Sequence, residues 1–296
     1  MKRSFLLLPL VLAPAFAASA LPPLTDAKLL SCEGLPCVDV LAGSAHLKLG
    51  VDTGNPNSFL NLKAAQALGL TLQPVNGRDG KPRPGVQTAI VPNVSIGPIK
   101  FDELKFLVFD LSDAIENGVF PRIDGTIAYG AFKDRILQLD YPAGILSVSQ
   151  PLAAPVVCPA SCGDISLIPF GRNGPPIVTS TGFTVNGKAI AVQIDTMFTG
   201  TLVVFPTAVE RLGLSAESKS TKSHFFPFTD EGVDMFESQA SQIGFGSKVL
   251  LAPSPLYFAG PKVHLPDGLF GGTVGAGLLS SHKSTLDFHD NKFWLD

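Results

Sequence analysis

An aspartate-threonine pair occurs twice in this chain, in matching settings, and that duplication limits the fold more than any other feature. "GVDTGNPNSFLNL" covers Gly50 to Leu62, and "QIDTMFTGTLVVF" covers Gln193 to Phe205. Each has a short apolar lead, Asp-Thr, a small or polar turn and a second apolar run. Asp52 and Asp195 are 143 positions apart. Three further matches follow in the same order at an offset of 147. "SIGPIKF" from Ser95 recurs as "QIGFGSK" from Gln242, and "GTIAYGAF" from Gly125 as "GTVGAGLL" from Gly272. "LQLDYPAGILSVS" from Leu137 recurs as "STLDFHDNKFWL" from Ser284, with Asp140 against Asp287. Ordered matches at a near-constant offset indicate a duplicated unit. The unit is too long for a solenoid repeat, so two similar lobes are expected. Their junction falls near "SQPLAAPVVCP", which is rich in Pro and Ala. The expected division is a signal peptide over 1–20, an N-terminal lobe over 21–152 with Asp52, and a C-terminal lobe over 153–296 with Asp195.

The 296 residues suffice for two such lobes, each with its own core. Hydrophobic residues make up 45% and charged residues 16%, which excludes a disordered chain. The 29 Gly and 25 Pro have no period, as expected for short strands joined by frequent turns. "NGKAIAVQID" opens on Asn186-Gly187, a hairpin turn signal, and runs apolar into Asp195. "LKFLVFDL" and "ILQLDYPAGILSVS" also read as strands. Helices are expected to be short and few, with "NLKAAQALGL" and "TAVERLGL" the best candidates, each stopping at a glycine.

The N-terminus reads as an export signal: Lys2 and Arg3, the apolar run "FLLLPLVLAPAFA", then "AFA" or "ASA" as a cleavage site. The alternative is an uncleaved anchor, but the run is short and holds Pro9 and Pro14. Removing Lys2 and Arg3 from 22 basic residues leaves 20 against 25 acidic ones, a net charge of −5. No basic cluster points to nucleic acid. Export makes disulfides plausible, and local pairing as Cys32–Cys37 and Cys158–Cys162 is expected over zinc binding. The five histidines, His46, His224, His264, His282 and His289, have no metal-ligand spacing. "GFTVNGKA" lacks the final Ser or Thr of a phosphate loop and reads as a hairpin. There is no GxSxG. Asp140 and Asp287 read as hairpin-turn residues.

Two carboxylates brought together from matching lobes cannot both ionise easily, so one pKa rises and the pair shares a proton. The ionised member can take a proton from water while the protonated member polarises a carbonyl. That chemistry hydrolyses an amide without a metal or a covalent intermediate.

On these residues the sequence resembles the aspartic peptidases, the pepsin and retroviral-protease superfamily, and especially their exported bacterial retropepsin-like kind. "VDTG" resembles the catalytic strand-turn. "DGTIAYG" and "GGTVGAG" resemble the later segment that packs beside the catalytic loop, and "LQLDYPAGIL" and "STLDFHDNKFWL" the closing hairpin of each lobe. The resemblance covers 35–296. It implies an all-β, pepsin-like bilobal fold of two β-barrel-like lobes. Asp52 and Asp195 would be the catalytic pair, Thr53 and Thr196 the interlocking threonines, and Gly54 the turn glycine. It implies peptide substrates held extended under a β-hairpin flap within "QPVNGRDGKPRPGVQTAIV", no cofactor and no metal. A monomer, with no membrane insertion once the signal is removed, is expected in the periplasm or outside the cell.

The chain departs from the family pattern at five places. Met197 stands at the second turn glycine, where a side chain puts at issue the N–H groups that orient Asp195. Asn55 and Phe198 stand where a hydroxyl or Ala is common. Ala128 stands where the second lobe keeps Gly275. The expected flap has no tyrosine. These departures bear on activity, not on fold, and leave two alternatives: a catalytically impaired protein that binds extended peptides, and a self-associating envelope scaffold.

Overall fold

The computed structural model describes residues 25–77, 79–150, 161–169, 176–215, 218–223, 233–259 and 270–296. The expected signal peptide, most of the expected lobe junction, His224 and His264 lie outside them.

Alternating burial shapes the strands. Ala45–Asp52 starts at the surface and ends with four buried residues, as it must to run from solvent into the molecule's centre. It follows Leu35–Ala42 in a tight hairpin, with Ala42 opposite Ala45. These two strands join Gly125–Ala128, Phe59–Asn61, Ile99–Phe109 and Pro82–Ile96 in that order. The last of them returns to the first through Leu41↔Ser95 and Ala42↔Val94. The six strands therefore close into a barrel, which leaves few unpaired edges. Leu49, Leu60, Ile96, Phe106 and Ile127 are fully buried.

The second half repeats the order. Pro176–Val185, Lys188–Asp195, Gly272–Gly275, Leu202–Val204 and Ser254–Ala259 follow one another. Phe183–Val185 pairs with Ile243–Phe245, the counterpart of the closure in the first half. The two long strands of the first barrel are here each broken in two, giving Val233–Ala240 with Ile243–Phe245, and Lys248–Leu251 with Ser254–Ala259. Phe183, Phe245 and Phe293 pack together, with ring centroids 4.7 to 6.1 Å apart.

A six-strand layer joins the halves: Thr25–Lys28, Ile145–Ser149, Ile136–Asp140, Lys283–Asp287, Lys292–Leu295 and Cys162–Pro169. Its centre is the pair Gln138↔Thr285. The repeat aligns these two residues, so a pseudo-twofold axis passes between them. Gln138 Nε2 donates to Thr285 Oγ1 at 3.0 Å on that axis.

Both expected helices form. Leu62–Ala67 is capped by the Asn61 side chain, which accepts from Lys63 N–H at 3.3 Å. Pro206–Leu212 starts on a proline and stops at Gly213, whose φ is 70°. Short turns over Ser112–Glu116, Tyr129–Phe132 and Ala276–Leu279 also form. Asn186 and Gly187 both take positive φ and join strands paired as Val185↔Lys188. The Asn-Gly hairpin therefore replaces any phosphate loop. Among the described residues no helix is long and apolar enough to cross a membrane.

Candidate active site

Asp52 and Asp195 end corresponding strands. Asp52 lies beside Ala128 in a parallel pairing, and Asp195 lies beside Gly275 in the same way. In each half a third strand, Phe59–Asn61 or Leu202–Val204, runs antiparallel on the far side. Both acids therefore emerge where the chain turns sharply out of its barrel. Ser58 braces the first turn: its Oγ accepts from Ala128 N–H at 2.9 Å.

The threonines interlock across the axis. Thr53 N–H donates to Thr196 Oγ1 at 3.0 Å, and Thr196 N–H donates to Thr53 Oγ1 at 3.2 Å. Thr53 Oγ1 donates to the Ile194 carbonyl at 2.9 Å, and Thr196 Oγ1 donates to the Val51 carbonyl. Both threonines are fully buried, so each hydroxyl satisfies one N–H and one C=O that would otherwise have no partner.

The carboxyl groups are held alike. Gly54 N–H donates to Asp52 Oδ1 at 2.9 Å, and Met197 N–H donates to Asp195 Oδ1 at 2.9 Å. The N–H groups of Asn55 and Phe198 also favour the charged forms. Met197 thus keeps the N–H that a side chain at this position put at issue. Neither Gly54 nor Met197 has positive φ, so the backbone here does not itself demand glycine. Space does: a Cβ on Gly54 would lie 2.3 Å from Asp195 Cγ. That contact also shows how closely the first loop approaches the second acid.

Burial pushes the Asp52 carboxyl well above the usual range, and the Asp195 charge pushes it further. Burial also raises Asp195, against the pull of its N–H donors. These shifts belong to the pair and favour a single shared proton. The buried Thr126 hydroxyl lies beside Asp52 and favours its charged form.

Sequence reasoning missed Gln193. Its Nε2 donates to the Gly54 carbonyl at 3.0 Å, and its Oε1 accepts from Thr273 Oγ1 at 3.3 Å. The signal was an amide within an apolar strand, aligned with Gly50. A hairpin of Gln73–Asn76 and Pro82–Ile96 forms in the segment expected to carry the flap, with Gln73↔Thr88 and Asn76↔Pro82 opposite each other.

Asp140 and Asp287 are not part of this cluster. Asp140 accepts from Ala143 N–H, and Asp287 from the N–H groups of His289 and Asp290, so both serve hairpin turns. His46 pairs with Asp39 at 2.9 Å and His289 with Asp290 at 2.8 Å, both at the surface. Among the described residues no group of three or more His, Cys, Asp or Glu could hold a metal. Cys32 and Cys37 form a disulfide. Cys162 is disulfide-bonded as well, and its expected partner Cys158 lies outside the described residues.

Residues 38–127 match the family model described as aspartyl protease. No curated protein sequence matches the chain. Among solved structures, basic 7S globulin from soybean is 11% identical with a TM-score of 0.46, over 92% of this chain and 94% of that one. Conglutin gamma, a basic 7S globulin from lupine seeds, is 10% identical with a TM-score of 0.49, over 93% and 95%. A retropepsin-like aspartic protease from Rickettsia conorii is 17% identical with a TM-score of 0.30, over 43% and 92%. The matched segment runs through Asp52 to the strand beside it, and the same strand-and-turn recurs at Asp195.

Proposed function

We propose that this protein is an aspartic endopeptidase whose catalytic pair is Asp52 and Asp195, one on each of two lobes spanning 21–152 and 153–296. The observation that carries this reading is the mutual hold of the two Asp-Thr loops, with Asp52 buried, Asp195 half-buried and Asp52 sensing the charge of Asp195. In the shared-proton state, the ionised carboxylate takes a proton from a water held between the two groups. The protonated partner hydrogen-bonds the substrate carbonyl and polarises it. As water adds, the protonated partner passes its proton to the carbonyl oxygen, giving a gem-diol. The carboxyl that gained a proton from water then gives it to the leaving nitrogen as the C–N bond breaks, and a gem-diol hydroxyl returns its proton to the other carboxyl, which restores the starting state. Thr53, Gly54 and Thr196 hold the loops. The reaction calls for no metal and no cofactor from these residues.

An extended peptide is the substrate this pair suits, lying under the hairpin of Gln73–Asn76 and Pro82–Ile96. Export is part of the proposal. The basic and apolar N-terminus and the Cys32–Cys37 disulfide support an oxidising, extracytoplasmic location.

The test is cleavage of a diverse peptide library between about pH 3 and 7, comparing the wild type with Asp52→Asn and Asp195→Asn. Cleavage that is lost in both folded variants is expected. Cleavage that survives both would remove the pair from the mechanism. A folded wild type that binds peptides without cutting them at any pH would favour the peptide-binding alternative.

A further inference from the structure

The repeat aligns Gly50 with Gln193, two residues before each aspartate, and Gly54 with Met197, two residues after. The structure brings these positions together crosswise. A Cβ on Gly50 would lie 2.6 Å from Met197 Sδ, 2.8 Å from its Cε and 3.1 Å from Ile123 Cδ1. The Met197 thioether therefore fills the space beside the Asp52 strand that a side chain at position 50 would occupy. On the other side of the axis the sizes are reversed. Gln193 supplies the large side chain, reaching the backbone of Gly54. Each crossing thus pairs one glycine with one long side chain. One carries its bulk before the aspartate and the other carries it after.

Gly54 cannot move its bulk in the same way, because Asp195 already occupies the direction its Cβ would take. Met197 can, because Gly50 leaves its thioether a seat on the opposite strand. Its sulfur and methyl lie against the Asp52 strand while its N–H holds Asp195. A single residue thereby links one acid's loop to the other acid's strand.

We propose that Met197 and Gly50 form a size-exchanged pair across the lobe interface, and that Met197 is a positioning residue that sets the Asp195 loop against Asp52. This rests on reading Asp52 and Asp195 as the catalytic pair. It turns the feature that most distinguishes this chain from the family pattern into a working part of the site. Met is suited to such a seat, since its unbranched, polarisable side chain adapts to irregular space.

The test is a double-mutant cycle on the full mature chain, read by thermal unfolding and by kcat and KM. Gly50→Ala in the wild type should push the thioether off its seat, lower the melting temperature and reduce kcat by about 10- to 100-fold with little change in KM. Met197→Gly should do the same by emptying the seat. In the Met197→Gly background, Gly50→Ala should be harmless, and Gly50→Leu should recover much of both losses. Met197→Leu should stay close to wild type in both readouts. Losses from Gly50→Ala that are equal in the two backgrounds would overturn the pairing. Coupled melting temperatures with uncoupled kcat values would reduce Met197 to a packing residue and overturn its positioning role. If the wild type cuts no peptide, the reading of the pair as catalytic fails and the positioning claim fails with it, while the melting cycle still decides whether Met197 and Gly50 are paired.

Discussion

Replacing Thr53 or Thr196 by Val removes a hydroxyl while keeping the side chain's shape, so it isolates the hydrogen bonds between the two loops. In the wild type each hydroxyl has one hydrogen to give. Thr53 gives it to the Ile194 carbonyl and Thr196 gives it to the Val51 carbonyl. The 3.4 Å approach of the two hydroxyl oxygens therefore adds no third bond. Thr196→Val leaves the Thr53 N–H and the Val51 carbonyl without partners, and Thr53→Val leaves the Thr196 N–H and the Ile194 carbonyl. The site is fully buried, so water does not replace what is lost. Each orphaned group costs about 1–3 kcal/mol, which gives roughly 2–6 kcal/mol per substitution. That is a large share of a typical total of about 5–15 kcal/mol. The four backbone groups are distinct, so the double variant should lose close to the sum. Thr→Ser keeps the hydroxyl and loses one methyl, at about 1 kcal/mol. Equilibrium urea unfolding at fixed pH reads these differences as shifts in midpoint. The reasoning is refuted if Thr→Val falls within about 0.5 kcal/mol of wild type, or if Thr→Ser is as damaging as Thr→Val.

Three other outcomes are expected. Gly54→Ala drives a methyl to 2.3 Å from Asp195 Cγ; it should cost about 1–3 kcal/mol in urea unfolding and on the order of 100-fold or more in kcat. Both dyad carboxyls have folded pKa values raised above the ordinary 3.8. The unfolded carboxyls therefore release their protons first, and the pair's contribution to stability is present below that value and lost as pH rises through the folded values. Asp52→Asn or Asp195→Asn removes this loss, so the variants should gain on wild type in urea midpoint between acid and neutral pH; an advantage that shrinks as pH rises would contradict the argument. Thr126→Val removes a hydroxyl that favours charged Asp52, so the acid limb of the kcat/KM profile should move to higher pH, and Thr126→Ser should leave it in place.

The elements legible in the sequence were those set by local chemistry. Asn186-Gly187 demands a two-residue turn, Gly213 stops a helix, and the apolar leads into Asp52 and Asp195 demand strands directed inward. The duplication extended this to the whole fold, because two copies of a strand, an acid and a turn imply a twofold relation. The short turn over Ser112–Glu116 was not legible: it has no buried residue and no side-chain cap. The role of Gln193 was not legible either: the amide in "KAIAVQID" marks a polar position in an apolar strand, but its partner Gly54 is 139 residues away. In the sequence Met197 is only a local departure from a glycine. Its consequences are set by Gly50, far away in sequence, and by a backbone that is ordinary at both turn positions. The residues around an active site that face across a lobe interface are those for which sequence neighbours say least.

The central claim is that the two halves hold their acids close enough to share one proton. Titration of carbon-13-labelled aspartate carboxyls in the protein, assigned with Asp52→Asn and Asp195→Asn, tests it most directly. The account predicts two coupled titrations, at least one well above the ordinary carboxyl range, and a fall in the remaining acid's value when its partner becomes Asn. Two independent titrations near 3.8, neither of them moved by replacing the other acid, would contradict it.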